Sequence, residues 1–143
     1  GLAALRGDLS ISDVMVSNAL MGRFSRPIAR LALGQSLRAV ASAAIDVSDG
    51  LLADAAHIAD ASEVAIDIDF HRLPLSDALR ALPDQDRSLR WALSGGDDYE
   101  LLFTLPPDSI VPAGCKEIGR VVAGSGVSCA VTPQQSGYDH FSD

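Results

Sequence analysis

Cysteine and basic residues are scarce in this sequence. The 143 residues include two cysteines, Cys115 and Cys129, whose separation is not typical of a metal site. We therefore expect unpaired structural thiols, as in the reducing cytoplasm, rather than a disulfide framework. Lys and Arg number 11 against 19 Asp and Glu, and the formal net charge is -8. This balance argues against nucleic acid as a partner, because its phosphates would be repelled.

Long apolar runs are also missing. Arg26, Arg30 and Arg38 interrupt the longest candidate before it reaches the roughly 20 residues of a membrane span. The first ten residues lack the basic and apolar regions of a secretory signal. The sequence therefore predicts a cytoplasmic protein with no membrane partner.

What the sequence does contain is enough apolar material for one packed core. Hydrophobic residues make up 48% of the chain and charged residues 21%, a globular balance at a length typical of one domain. We therefore predict that residues 1–143 form a single domain.

Helical and strand-like patterns alternate along the chain. Helices are predicted after Ser12-Asp13, after Arg26-Pro27 and after Gly50, where apolar residues recur at helical spacing. Val64 to Phe70 alternates apolar and polar residues as a strand does, and Gly124-Ser125-Gly126 predicts a hairpin between two further strands. The pattern indicates an α+β sandwich: a mixed sheet of at least four strands packed with helices.

The first candidate site is Asp46-Val47-Ser48-Asp49-Gly50, between a predicted strand and a predicted helix. The order strand, acidic turn, helix places two carboxylates and a hydroxyl beside free helix amides, which favour phosphate oxygens. Two carboxylates together with substrate phosphates are also a common Mg²⁺ ligand set. The alternative is that Ser48 or Asp49 merely caps the helix.

The second candidate site is Ser94-Gly95-Gly96-Asp97-Asp98-Tyr99-Glu100. Its acids and two glycines suit a hydrogen-bonding ligand, a cation or a metal ion, since glycine allows close backbone approach. The alternative is a glycine helix stop followed by a solvated turn and a strand with an exposed Glu100.

Taken in order, five segments carry a family resemblance. They are Arg26-Pro27 with Leu31–Gly34, Ala43–Leu52, Leu93–Phe103, Ile118–Val122 and Gly137–Phe141. Together they resemble the C-terminal domain of the thiamine-monophosphate kinase family, which is related to aminoimidazole ribonucleotide synthetase and selenide, water dikinase. The resemblance implies the α+β fold of that superfamily.

The resemblance also implies a reaction and its residues. ATP would transfer its terminal phosphoryl group directly to thiamine monophosphate, giving thiamine diphosphate. Asp46 and Asp49 would bind Mg²⁺, Ser48 would contact an ATP phosphate, and Asp97 and Tyr138 would hold the substrate. No residue is assigned as a catalytic acid or base, because the attacking phosphate oxygen is already anionic. The family often has Glu at the position of Asp97 and Trp at that of Tyr138.

The resemblance finally implies that the chain is the C-terminal half of a two-domain enzyme. The N-terminal domain would supply further Mg²⁺ ligands and a homodimer interface, so the isolated chain is expected to be inactive. Two alternatives remain. The chain belongs to another ATP-dependent enzyme of the superfamily, or it is a nonenzymatic ligand-binding or assembly domain.

Overall fold

The computed structural model describes residues 1–7 and 11–129, and this part of the chain contains both helices and strands. The α-helices are α1 (Leu2–Leu5), α2 (Val14–Ser25), α3 (Leu31–Leu37), α4 (Leu51–Ser62), α5 (Asp77–Arg80) and α6 (Gln85–Ser94). The strands are β1 (Ala43–Asp46), β2 (Ala65–Ile68), β3 (Leu101–Thr104), β4 (Gly119–Val122) and β5 (Gly126–Cys129). The predicted α+β class is confirmed.

The described strands form two sheets, of two and three strands, where the sequence predicts one mixed sheet of at least four. β1 and β3 pair in antiparallel fashion, with Asp46 opposite Leu101. In the second sheet β2 lies in the centre, antiparallel to β4 and parallel to β5. The second sheet is therefore mixed, and the first brings the end of β1 beside the start of β3.

The predicted hairpin around Gly124-Ser125-Gly126 is wrong. β4 and β5 do not pair with each other; each pairs with β2, from opposite sides. The connecting turn crosses the beginning of β2, where a Cβ atom at Gly124 would lie 3.3 Å from that of Ala65. A short glycine turn predicts that the chain reverses direction there. It does not predict whether the two strands that it joins pair with each other or with a third strand between them.

The second predicted helix begins later than expected. Residues 27–30 are not helical, and α3 starts at Leu31. Arg26 precedes Pro27 and has φ -140° and ψ 70°, outside the helical region, which the proline ring disfavours for the residue before it. The helix before it agrees with the sequence, since the Asp13 carboxylate accepts hydrogen bonds from the N–H groups of Met15 and Val16.

Helix α4 lies at the centre of the described core. It contacts strands of both sheets, β1 and β3 of the first and β2 and β5 of the second. Leu51, Ala55, Ile58 and Ala59 recur on one face of the helix and are buried. Because this face is anchored along its length, the residues just before Leu51 have a fixed support.

No helix in the described ranges combines the length and apolar character needed to cross a bilayer.

Candidate functional site

The first acidic loop joins β1 to α4. Asp46 ends the strand and is exposed, Ser48 is half-buried, and Asp49 is exposed. Gly50 has φ 112°, a conformation that favours glycine, and directly precedes the helix. The loop therefore presents two carboxylates to solvent at the start of the most deeply packed helix.

A buried carboxylate in the first turn of α4 holds this loop. Asp54 is 2% exposed, and its Oδ2 accepts hydrogen bonds from the N–H groups of Ser48 (2.9 Å) and Asp49 (3.1 Å). The N-cap residue is Gly50, with no capping side chain. The capping alternative for Ser48 or Asp49 is therefore wrong, because Gly50 is the N-cap and no side-chain hydrogen bond caps the helix.

The second acidic loop connects α6 to β3. Asp97 and Tyr99 have φ values of 64° and 52°, which are uncommon for residues with a side chain. The Tyr99 hydroxyl donates to Oδ1 of Asp97 over 3.1 Å. This hydrogen bond raises the pKa of Tyr99, as do the negative charge of Asp97, partial desolvation and, to a smaller degree, the charge of Asp46. Asp46 and Tyr99 thus lie within electrostatic reach across the two loops.

Backbone contacts lock the two loops together. The N–H of Asp97 donates to the carbonyl oxygen of Ser48 over 2.9 Å, and the N–H of Tyr99 donates to that of Val47 over 2.8 Å. A Cβ atom at Gly96 would lie 2.5 Å from the Ser48 oxygen, and one at Gly50 would lie 2.9 Å from the Ser94 oxygen. Each loop therefore needs a glycine where the other approaches. Two motifs that the sequence indicates separately form one site.

Two arginines anchor the second loop to the N-terminal helices. Arg30 donates to both carboxylate oxygens of Glu100, at 2.8 and 2.6 Å, and Arg23 of α2 donates to the same carboxylate at 2.5 Å. These arginines lower the pKa of Glu100, with the Arg30 hydrogen bond as the largest cause and partial burial opposing it. The sequence alternative of an exposed Glu100 is therefore wrong, because this side chain is only partly exposed and is paired with two arginines.

Two carboxylates and an imidazole come together at the start of α4. Ligand atoms of Asp49, Asp54 and His57 all lie within 4.8 Å of one another. Carboxylate oxygens are the usual protein ligands of Mg²⁺. Sequence reasoning missed Asp54 and His57, which lie one turn apart on α4. The available signal was an acid and a histidine spaced i, i+3, directly after the acidic turn.

The remaining predicted site residue, Tyr138, lies outside the described residues.

The chain is similar in sequence to proteins of known function. No family model matches the chain. The thiamine-monophosphate kinase of Escherichia coli K12 is 41% identical over 158 aligned positions, which include 99% of this chain and 48% of that enzyme. The chain is homologous to thiamine-monophosphate kinases. It spans about half the length of the curated relatives it matches.

Solved thiamine-monophosphate kinases share the fold. The crystal structure from Stenotrophomonas maltophilia K279a is 42% identical with a TM-score of 0.80, over 90% of this chain and 46% of that one. The structure of AaThiL complexed with AMPPCP and TMP is 37% identical with the same TM-score, over 98% of this chain and 46% of that one. These alignments thus cover nearly all of this chain and about half of each solved chain.

Proposed function

We propose that this chain forms part of the active site of an ATP-dependent kinase that converts thiamine monophosphate to thiamine diphosphate. The observation that carries the proposal is the contact between the loops at Ser48 and Asp97, since it places a phosphate-type motif beside a second acidic motif. The homology to thiamine-monophosphate kinases, one solved with AMPPCP and TMP, supplies the substrate class.

Asp46 and Asp49 are the proposed Mg²⁺ ligands, and Ser48 is the proposed contact to an ATP phosphate. Both carboxylates are exposed at the loop, so they can meet a metal–phosphate complex that arrives from solvent. When bound, Mg²⁺ supplies charge neutralisation for the phosphates between which the phosphoryl group passes. These three residues fit that role because their oxygens are hard donors on a loop held from behind by α4.

Phosphoryl transfer of this type depends mainly on alignment and charge stabilisation. The loops meet this requirement through rigidity, because their relative position is set by backbone hydrogen bonds rather than by mobile side chains. The attacking oxygen of the substrate phosphate is already anionic, and we assign no residue as a general base.

Asp97 and Tyr138 are the proposed substrate residues. The thiamine ring system is cationic, so a carboxylate and an aromatic face are both chemically suitable partners. The Asp97 carboxylate accepts a hydrogen bond from the Tyr99 hydroxyl over 3.1 Å, which favours one orientation of that carboxylate.

Ligand titration of the 143-residue chain tests this proposal. We expect Mg²⁺ with ATP to shift the NMR signals of residues 46–50, and thiamine monophosphate to shift those of residues 96–99. Inorganic phosphate is the control for a nonspecific anion, and AMP is the control for a nonspecific nucleotide. The proposal fails if thiamine monophosphate affects residues 96–99 no more than inorganic phosphate does.

Turnover is a separate expectation. We propose that the complete enzyme has further Mg²⁺ ligands and a homodimer interface outside this chain, and that it acts in the cytoplasm. The 143-residue chain should therefore bind ligand without producing thiamine diphosphate. Product formation by the purified chain would show that the residues present here suffice for catalysis.

A further inference from the structure

Asp54 occupies the backbone amides that a phosphate-binding loop would use. Loops of this kind bind anions because backbone N–H groups at a helix N-terminus point at the ligand. Here the amides of Ser48 and Asp49 already donate to one oxygen of a carboxylate that is 2% exposed. A free phosphate at these amides would have to displace a buried negative charge.

The charges around the loop also disfavour a free anion. Asp49 offers a carboxylate oxygen within 4.8 Å of Asp54, and the exposed Asp46 ends the adjoining strand. Three acids therefore lie in or beside the loop, and the imidazole of His57 lies next to two of them. An uncomplexed phosphate would be repelled here, whereas a divalent cation would be attracted by every carboxylate.

We propose that Asp54 is a positioning residue that makes this loop selective for a cation, so that phosphate binds only together with a divalent metal ion. This inference rests on the proposed function. Asp54 acts from inside the fold: it holds the two amides toward α4 while Asp49, the residue that would meet the metal, remains exposed.

Two substitutions separate the charge of Asp54 from its hydrogen bonds. Asp54→Asn removes the charge but keeps one oxygen that can accept from both amides, as Oδ2 does. Asp54→Ala removes both and releases the amides. Asp60→Asn is the matched control, because Asp60 lies on the same helix and is exposed.

The probes are Mg²⁺ alone, inorganic pyrophosphate in the presence of a chelator, and pyrophosphate with Mg²⁺. Each is followed by the NMR signals of residues 46–50. Hydrogen exchange of the Ser48 and Asp49 amides reports whether the loop is still held. For Asp54→Asn we expect near-normal exchange protection and Mg²⁺ binding weakened about tenfold. For Asp54→Ala we expect exchange faster by at least about tenfold and metal-free pyrophosphate binding that exceeds that of the unsubstituted chain.

The result that overturns the inference is an Asp54→Asn chain that binds Mg²⁺ as the Asp60→Asn chain does. Metal-free pyrophosphate binding to the unsubstituted chain, as tight as with Mg²⁺, also overturns it. If Asp54→Ala does not fold, the Mg²⁺ affinity of Asp54→Asn still tests the inference. Failure of the proposed function has a different signature: the loop responds to Mg²⁺, but thiamine monophosphate has no effect at residues 96–99.

Discussion

A Cβ atom at Gly96 would lie 2.5 Å from the carbonyl oxygen of Ser48. The neighbouring Asp97 amide donates to that same oxygen. The contact is therefore both a steric limit and a hydrogen bond, and it fixes the distance between the two acidic loops. The position accepts no side chain while the loops remain in place.

Gly96→Ala should separate the loops. Because the obstacle is backbone, which cannot rotate away, we expect a loss of about 1 to 3 kcal/mol in the free energy of unfolding, measured by denaturant titration. The NMR signals of residues 46–50 should shift as well. Gly22→Ala is the control, because Gly22 lies within α2 and no atom lies within 4 Å of an added Cβ. This substitution should raise the free energy of unfolding by up to about 1 kcal/mol. Equal effects of the two substitutions would contradict the steric argument.

The Glu100 ion pairs should make stability depend on pH. The pKa of Glu100 is lowered in the folded chain, so the ionised form is favoured by folding. Its contribution is complete above the unfolded pKa, near 4.5, and is lost as the pH falls through the lower folded pKa. We expect Glu100→Gln to reduce the free energy of unfolding by about 0.5 to 1 kcal/mol at pH 7, since the side chain is partly exposed. This difference should shrink below pH 4.5.

Glu117→Gln serves as the control for the Glu100 prediction. Glu117 pairs with Arg72 across an exposed surface, where both side chains are about half accessible. Loss of this ion pair should change the free energy of unfolding little, both at pH 7 and below pH 4.5, because single exposed ion pairs contribute little to stability. A Glu100→Gln chain with the same small, pH-independent effect would show that the two arginines do not anchor the loop.

Asp46→Asn tests the proposed metal site without disturbing the fold. Asp46 is exposed, so the free energy of unfolding should change by less than about 0.5 kcal/mol. Mg²⁺ affinity of the chain should fall about tenfold, because a neutral amide oxygen is a weaker ligand than a carboxylate. Titration calorimetry or NMR titration measures this. Unchanged Mg²⁺ affinity, again compared with Asp60→Asn, would remove Asp46 from the site.

Ser88 links α6 to α5. It is fully buried, and its hydroxyl lies within hydrogen-bond distance of the carbonyl oxygens of Leu79 (3.2 Å) and Asp84 (3.0 Å). Ser88→Ala should cost about 1 kcal/mol by thermal or denaturant unfolding, because a carbonyl of α5 loses its buried donor. Ser36→Ala is the control, because the Ser36 hydroxyl donates to the carbonyl oxygen of Leu33 in α3 but is exposed. This substitution should leave the free energy of unfolding nearly unchanged.

Local patterns in the sequence predict local structure well here. The Asp13 cap, the alternation in β2 and the apolar face of α4 depend on residues within one or two turns or one strand, and all three agree with the structure. The acidic motifs could also be located from their residue types alone. Their assigned roles in binding stay predictions.

Contacts between distant segments could not be predicted in the same way. Asp54 lies only five and six positions from the loop amides that donate to it, but its burial depends on the strands that pack around α4. Glu100 meets Arg23 and Arg30, which are 77 and 70 positions away, and no periodicity reports such a pair. The hairpin failed for the same reason, because β2 enters between β4 and β5 from far earlier in the chain.

The central position of β2 also affects the order of folding. Its partners lie far along the chain: Asp67 accepts a hydrogen bond from Ser128 across 61 positions. Such distant pairing forms slowly, because a long loop must close before any contact compensates for the lost entropy. On a ribosome, both edges of β2 would stay unpaired until β4 and β5 emerge. Helix α4, which positions the first loop, would therefore complete its packing on β5 only after Gly126–Cys129 has been synthesised.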